Sequence, residues 1–131
     1  SLEDGVQLVL HAFNEMIGGE IFVKKIPSMK VTDIARVIAP DAKQEVIGIR
    51  PGEKVHEQMI GIEDAPYTYE YESYFKILPA IHNWSADPFR IKNGIKVADD
   101  FVYTSDRNTE WMTDSALRSW IDANSKKIGL L

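Results

Sequence analysis

The chain has 131 residues, of which 44% are hydrophobic, and a formal charge of −5, values that are ordinary for one globular domain. The acidic residues are scattered and no Lys/Arg cluster occurs, so neither nucleic acid nor an anionic membrane is an expected partner. The absence of cysteine excludes disulfides, thiolate zinc sites and thiol nucleophiles. No apolar run reaches the ~20 residues of a membrane span and no secretion signal is recognised, so we expect a cytoplasmic protein.

In chain order, the first 50 residues alternate between helix and strand. Ser1 is a typical N-cap for a helix whose apolar residues recur at helical spacing and which ends near Gly18. Residues 20–24 predict a strand, residues 31–38 a helix that stops before Pro40, and residues 44–49 a second strand. This alternation favours an α/β layer in which the two strands pair in parallel. A chain that opens directly on a helix also suggests a piece of a longer protein.

The second half contains shorter predicted elements. Residues 54–60 have apolar spacing compatible with one or two helical turns, and residues 67–78 favour a strand whose alternating tyrosines form a packing surface. Residues 101–103 predict a short strand. Thr113 is a suitable N-cap for a last helix with an apolar stripe, and the polar residues 105–109 are interpreted as a capping turn before it.

The most informative segment is the turn at residues 50–53, which follows the predicted strand 44–49. Arg50 presents a planar fork of donors that matches phosphate oxygens. Pro51 sets the turn and Gly52 allows a positive φ. Glu53 then returns a carboxylate, which suits a nucleotide with its diphosphate on Arg50 and its ribose hydroxyls on Glu53. The alternative is a surface turn with a local Arg–Glu ion pair and no ligand.

Other kinds of site find little support in the chain. His11, His56 and His82 lack the spacing of a metal site, so no metal ligand is predicted. His56 is retained as a candidate substrate-binding residue because it follows Glu53 by three positions. No Gly-rich dinucleotide or P-loop motif occurs, and no tyrosine is followed by a lysine four positions later. We therefore predict no cofactor-binding residue and no catalytic residue in this chain.

Five segments resemble, in this order, the C-terminal portion of the inverting UDP-N-acetylglucosamine 4,6-dehydratases: residues 2–6, 18–23, 25–30, 47–57 and 105–111. These enzymes are extended short-chain dehydrogenases/reductases of the polysaccharide biosynthesis protein family, and they open the pseudaminic acid pathway. The resemblance implies an α/β fold with mixed helices and short strands, on the substrate-binding side of a Rossmann-type enzyme. It also implies that residues 1–131 are one nucleotide-sugar-binding portion, without the N-terminal NADP-binding Rossmann part.

In such enzymes, an Arg-x-x-Asp/Glu placed like Arg50 and Glu53 binds the diphosphate and the ribose hydroxyls of the UDP-sugar. The resemblance further implies that the full-length enzyme uses NADP, has an upstream Rossmann domain with the cofactor loop and the Tyr-Lys pair, and is a homo-oligomer. That enzyme would remove hydride from C4 of UDP-N-acetylglucosamine, eliminate water across C5 and C6, return hydride to C6 and invert C5. The fragment alone is expected to be inactive.

Two alternatives stay open. The chain can be chiefly an oligomerisation or interaction module built from the aromatic strand and the last helix, in which case Tyr67, Tyr69, Trp111 or Trp120 should be exposed. It can also belong to a related capsule or O-antigen nucleotide-sugar dehydratase or epimerase, because those enzymes share residues 18–23 and a version of the turn at residues 50–54.

Overall fold

The computed structural model describes residues 1–82 and 87–125, and the chain divides into two compact units. Unit 1 comprises Ser1–Lys25 and Gln58–Thr104, and unit 2 comprises Ile26–Glu57 and Ser105–Leu131. The helices of the described residues are α1 (Leu2–Glu15), α2 (Val31–Ile38), α3 (Pro88–Ile91) and α4 (Asp114–Asn124). None of these helices has the length and apolar character needed to cross a bilayer.

Helix α1 opens unit 1 on the predicted N-cap. The Ser1 hydroxyl accepts a hydrogen bond from the backbone N–H of Asp4 and forms part of a capping box. The helix ends before Gly18 and Gly19, as the sequence predicts. No residue of α1 is buried, and the helix carries a stripe of exposed apolar side chains: Leu2, Val6, Val9, Leu10 and Phe13.

Short antiparallel strands form the sheets of unit 1. In chain order they are β1 (Ile21–Lys24), β2 (Gln58–Ile60), β3 (Thr68–Glu70), β4 (Tyr74–Ile77), β5 (Ile95–Lys96) and β6 (Tyr103–Thr104). The larger sheet has the spatial order β1–β4–β3–β5, with Ile21 opposite Ile77 at its first pair, and β2 pairs with β6 in a second sheet. The predicted single strand over residues 67–78 is therefore a hairpin.

The core of unit 1 contains two clusters of buried side chains. The larger cluster consists of Val23, Ile60, Ala65, Phe75, Ile77, Val97 and Tyr103. Tyr69 and Tyr71 lie in the other cluster with Leu78, whereas Tyr67 ends a 3₁₀ turn, Ala65–Tyr67, and packs against the larger cluster. The tyrosines serve packing, as predicted, but they do not line one face of a strand.

Unit 2 contains α2 and α4, which share a small core of Val37, Leu117 and Ile121. Thr113 caps α4 as predicted, because its hydroxyl accepts from the N–H of Ala116 at 3.2 Å. Arg36 of α2 donates to the Asp114 carboxylate at 2.8 Å, and this hydrogen bond raises the pKa of the guanidinium. Both helices therefore form where the sequence places them.

Two predicted elements are wrong. Residues 44–49 form no strand, and the paired strands of the described sheets are antiparallel, so the predicted parallel pair does not exist. Gly48 has a φ of +82°, outside the β region, and Val46 and Ile47 are 92% and 89% exposed. A strand-forming composition gives no strand unless an edge is available for pairing. Residues 54–60 are not helical either, since their last part is β2.

Candidate functional site

The predicted Pro-Gly turn is present in unit 2. The N–H of Glu53 donates to the Arg50 carbonyl at 3.0 Å, and Gly52 has a φ of +86°. Proline at the second position and a positive φ at the third are the features of a type II turn. The Glu53 side chain folds back on Arg50: Oε2 accepts the backbone N–H at 2.9 Å, and Oε1 lies 3.0 Å from Nε. Backbone and side chain together close the turn.

The exposure of this turn decides what it can do chemically. The Arg50 side chain is 85% exposed, and the Glu53 side chain is 45% exposed. Glu53 holds the guanidinium from the Nε side, so the planar fork is oriented while it remains in water. An oriented guanidinium can exchange water for a bidentate contact with an oxyanion. The local Arg50–Glu53 ion pair, which the sequence analysis gave as the alternative to a ligand site, is thus formed. It nevertheless leaves the guanidinium accessible to a ligand.

His56 belongs to a different feature of unit 2, an open groove of about 610 Å³. Its lining includes Met29, Lys30, Val55, His56, Asp106 and Trp111, but neither Arg50 nor Glu53. Of the three predicted site residues, the structure therefore brings Arg50 and Glu53 together in the turn and places His56 in the groove.

Backbone hydrogen bonds join the chain segments that line this groove. Ser105 donates its N–H to the Glu57 carbonyl at 2.8 Å, and the Ser105 hydroxyl accepts from the Glu57 N–H at 3.0 Å. Ser28 donates to the Glu110 carbonyl at 2.8 Å and accepts from the N–H of Met112 at 2.9 Å. Residues 26–30 and 105–112 thus meet beside each other in unit 2, although about 80 positions separate them in the sequence.

Asn108 takes part in four hydrogen bonds in this region. Its side-chain amide donates to the Ile26 carbonyl at 2.7 Å and to the Ser28 hydroxyl at 3.1 Å. Its side-chain oxygen accepts from the N–H of Glu110 at 3.1 Å, and its carbonyl accepts the indole N–H of Trp111 at 2.8 Å. Residues 105–107 form a turn before α4, as predicted, but the N-cap of α4 is Thr113, and Asn108 also joins this turn to residues 26–28.

Sequence reasoning missed Lys30, Asn108 and Trp111 as a group. The available signal was that residues 25–30 and 105–111 both carry the family resemblance. Nothing in their spacing indicated that the two segments contact each other.

The predictions for the aromatic residues have mixed outcomes. Tyr69 is buried and Tyr67 is half-buried, so the aromatic strand does not provide the surface that an interaction module would need. Trp111 and Trp120, at 44% and 41%, have the exposure that the interaction-module alternative predicts for them. His11 packs edge-on against the Tyr74 ring, with 4.8 Å between ring centroids. Within residues 1–82 and 87–125, no group of three or more His, Asp or Glu side chains is arranged to hold a metal.

A second cluster of charged groups lies in the interior of unit 1. Glu20 forms an ion pair with Arg90, whose guanidinium also donates to the Gly18 carbonyl at 2.9 Å. Burial raises the pKa of Glu20, but the N–H donors of Gly18 and Ile17 and the charge of Arg90 outweigh it, so the pKa is lowered. Lys76 donates to the Arg90 carbonyl, and burial lowers the pKa of its ammonium group. These partners are backbone and core groups, so the cluster stabilises the fold.

Comparisons with known proteins identify the family of this chain. A family model described as polysaccharide biosynthesis protein matches residues 1–79. Two UDP-N-acetylglucosamine 4,6-dehydratases (inverting) of Campylobacter jejuni, from serotypes O:2 and O:23/36, are 49% and 48% identical over 122 residues. The match covers 89% of this chain but only 36% of each of these relatives. A UDP-glucose 4-epimerase of Rickettsia massiliae is 36% identical over 81 residues, which cover 59% of this chain and 24% of the epimerase.

The similarity extends to a solved structure. The X-ray structure of Pen from Bacillus thuringiensis matches with a TM-score of 0.76 and 24% identity, over 95% of this chain and 36% of Pen. This likeness concerns the fold alone, and the α/β class with mixed helices and short strands is as predicted. With the family model matching well over half of its length, the chain belongs to the polysaccharide biosynthesis protein family.

Proposed function

We propose that this chain is the nucleotide-sugar-binding portion of a UDP-N-acetylglucosamine 4,6-dehydratase that inverts C5. The observation that carries the proposal is the Pro-Gly turn, which presents an 85% exposed guanidinium on a closed backbone turn. Such a fork beside a carboxylate suits a diphosphate joined to ribose. The 49% identity to a Campylobacter enzyme of this name supports the same substrate class.

Each of the three candidate site residues has a separate role in the proposal. Arg50 binds the diphosphate. Glu53 restrains the guanidinium through the ion pair. Its half-exposed carboxylate has enough lone pairs to accept hydrogen bonds from ribose hydroxyls while the ion pair with Arg50 is kept. His56, three residues further along, contacts the same ligand from the groove.

The proposal extends to the complete enzyme. The chain spans about a third of the length of the Campylobacter relatives, so the lyase reaction, its place in pseudaminic acid synthesis, the cytoplasmic location and the homo-oligomer are proposed for the longer protein. An upstream Rossmann domain would supply NADP binding and the Tyr-Lys pair, and the fragment alone would be inactive.

The residues of this chain do not fit NADP. A dinucleotide phosphate is held by a Gly-rich loop at the N-terminus of a helix. Gly18 and Gly19 precede strand β1 instead, and the N–H of Gly18 donates to the Glu20 carboxylate at 2.7 Å. The cofactor phosphates would therefore be held by the upstream domain.

A UDP-sugar epimerase is the second candidate, because the Rickettsia epimerases match 59% of the chain. The complete enzyme, incubated with UDP-N-acetylglucosamine, separates the two candidates. A dehydratase yields a product lighter by one water, whereas an epimerase yields an isomer of unchanged mass.

Titration of UDP, UMP and UDP-N-acetylglucosamine into isotope-labelled protein, followed by two-dimensional NMR, tests the proposed site. Shifts that require a diphosphate should centre on Arg50 and Glu53, and Arg50→Ala should weaken UDP binding about 10- to 100-fold because a charged hydrogen-bond donor is lost. Lys96→Ala is the matched control, since Lys96 also forms an exposed local ion pair, with Asp99 at 2.7 Å, but in unit 1. Equal affinity of Arg50→Ala and the parent protein for UDP would reject the proposed site.

A further inference from the structure

An open pocket of about 260 Å³ lies in unit 1, and its lining contains none of the three candidate site residues. Helix α1, strand β1 and the start of β4 meet around it. Its lining consists of six residues: Gln7, Leu8, His11, Lys24, Ser73 and Tyr74. Five of these side chains can donate a hydrogen bond and none is acidic. The pocket therefore presents donors, and no carboxylate of its own, to a ligand.

His11 contributes a polar atom that lacks a partner. Its Nε2 is shielded from solvent, and no described residue forms a hydrogen bond with it. The ring is held by aromatic contacts, with centroid distances of 4.8 Å to Tyr74 and 5.9 Å to Phe22. A buried polar group without a hydrogen bond costs free energy, which a ligand atom that reaches this nitrogen would recover.

Three other side chains of the pocket have no competing partner. Within residues 1–82 and 87–125, the side chains of Gln7, Ser73 and Tyr74 take part in no hydrogen bond. The backbone of Ser73 is held in place, because its carbonyl accepts from the N–H of Lys25 at 3.1 Å. Burial raises the pKa of the Tyr74 hydroxyl, which therefore stays protonated and able to donate.

Lys24 gives the pocket a positive charge. Its ammonium group lies 3.3 Å from the Asp4 carboxylate, and the two side chains are 35% and 56% exposed. A partly exposed ion pair of this kind is weak, so its cation can be shared with a ligand. Glu15, whose charge also acts on Tyr74, is itself held in an ion pair with Lys92. A ligand in this pocket therefore meets one cation and several neutral donors.

We propose that this pocket binds a small oxyanion, a carboxylate or a phosphate, on Lys24 with His11, Ser73 and Tyr74 as further donors. Its volume of about 260 Å³ lies below the usual range of about 300–1,000 Å³ for small-molecule sites, so the anion is small. The inference goes beyond the proposed function and does not depend on it, because the Pro-Gly turn belongs to unit 2.

Titrations of isotope-labelled protein with inorganic phosphate and with acetate, followed by two-dimensional NMR, test the site. The His11 ring signals and the Ser73 amide signal should shift in a saturable way. A response to only one of the two anions would support the site and identify the group that it binds. Sodium chloride is the control for ionic strength. Equal shifts with chloride, or no shift at either residue, would overturn the proposal, whether or not phosphate also shifts Arg50.

Lys24→Ala should weaken binding of the responding anion about 10-fold, because a charged hydrogen-bond donor is lost. Lys96→Ala is the matched control, since Lys96 is also a partly exposed lysine of unit 1 paired with an aspartate, Asp99 at 2.7 Å, but does not line the pocket. It should bind the anion as the parent protein does. Equal losses in both variants would indicate a general effect of charge and reject the site.

His11→Phe separates a role in binding from a role in packing. Phenylalanine keeps a ring against Tyr74 and Phe22 but has no nitrogen, so the fold should be preserved. Anion affinity should fall about 2- to 10-fold, the range for loss of one hydrogen bond. The urea midpoint should stay the same or rise, because the unpartnered Nε2 is removed. Unchanged anion affinity would show that His11 only packs and would contradict its place in the site.

Discussion

Two arginine–glutamate pairs of this protein use the same chemical groups in opposite surroundings. In unit 1, the side chains of Arg90 and Glu20 are 7% and 1% exposed, whereas in unit 2 those of Arg50 and Glu53 are 85% and 45% exposed. The buried pair is surrounded by backbone donors and acceptors that it satisfies, while the exposed pair keeps a guanidinium in water. Burial makes an ion pair a part of the fold, and exposure leaves it accessible to a ligand.

Breaking the buried pair should have the largest effect. Glu20→Gln removes the charge that compensates Arg90 and should lower the free energy of unfolding by about 3–5 kcal/mol, the usual cost of an uncompensated buried charge. Urea unfolding of the parent and the variant measures this difference. UDP affinity, measured where the variant is still folded, should not change, because Glu20 lies outside the proposed site. A decrease of less than about 1 kcal/mol in the free energy of unfolding would contradict the prediction, because the pair would then behave like a surface ion pair.

Acid should break the same pair without a mutation. The folded-state pKa of Glu20 lies below its ordinary value, so its contribution to stability is complete above the unfolded-state pKa and is lost as the pH falls through the folded-state pKa. Stability should therefore decrease as the pH drops below about 4.3, the ordinary value for glutamate. Urea midpoints across this range should fall more steeply for the parent protein than for Glu20→Gln, and equal slopes would exclude Glu20 as the responsible group.

The sequence predicts elements well where local signals suffice. Ser1 and Thr113 are N-caps by their side chains alone, and helices α1, α2 and α4 form where capping and apolar spacing place them. The turn at Arg50 follows equally from the conformational limits of Pro51 and Gly52.

Elements that depend on a partner are predicted poorly. Residues 44–49 have the composition of a strand but no paired edge, and Gly48 takes a positive φ. The Glu20–Arg90 pair and the Asn108–Ser28 contact join residues 70 and 80 positions apart. Such contacts are set by the tertiary fold, so local patterns in one sequence do not encode them visibly.

The conformation of the exposed turn should matter more for binding than for stability. Gly52→Ala places a Cβ at a φ of +86° in open space, so its cost is backbone strain of about 1–2 kcal/mol, which the exposed turn can relieve by changing shape. We expect several-fold weaker UDP binding and a small change in the urea midpoint. Gly48→Ala is the matched control, with a φ of +82° and equally open space outside the turn; equal losses of UDP affinity in both variants would contradict a specific role of the turn.

Breaking the exposed pair should have the smallest effect on stability and the most informative effect on binding. Glu53→Gln should change the free energy of unfolding by less than about 1 kcal/mol, as for other exposed pairs. Removing the carboxylate also removes its repulsion of phosphate, so pyrophosphate should bind equally well or more tightly. UDP should nevertheless bind about 2- to 10-fold more weakly, because a hydrogen bond to ribose is weakened. Calorimetric titration of both ligands separates the roles of Glu53: opposite changes assign it to ribose, whereas tighter binding of both ligands would mean that it contacts only Arg50.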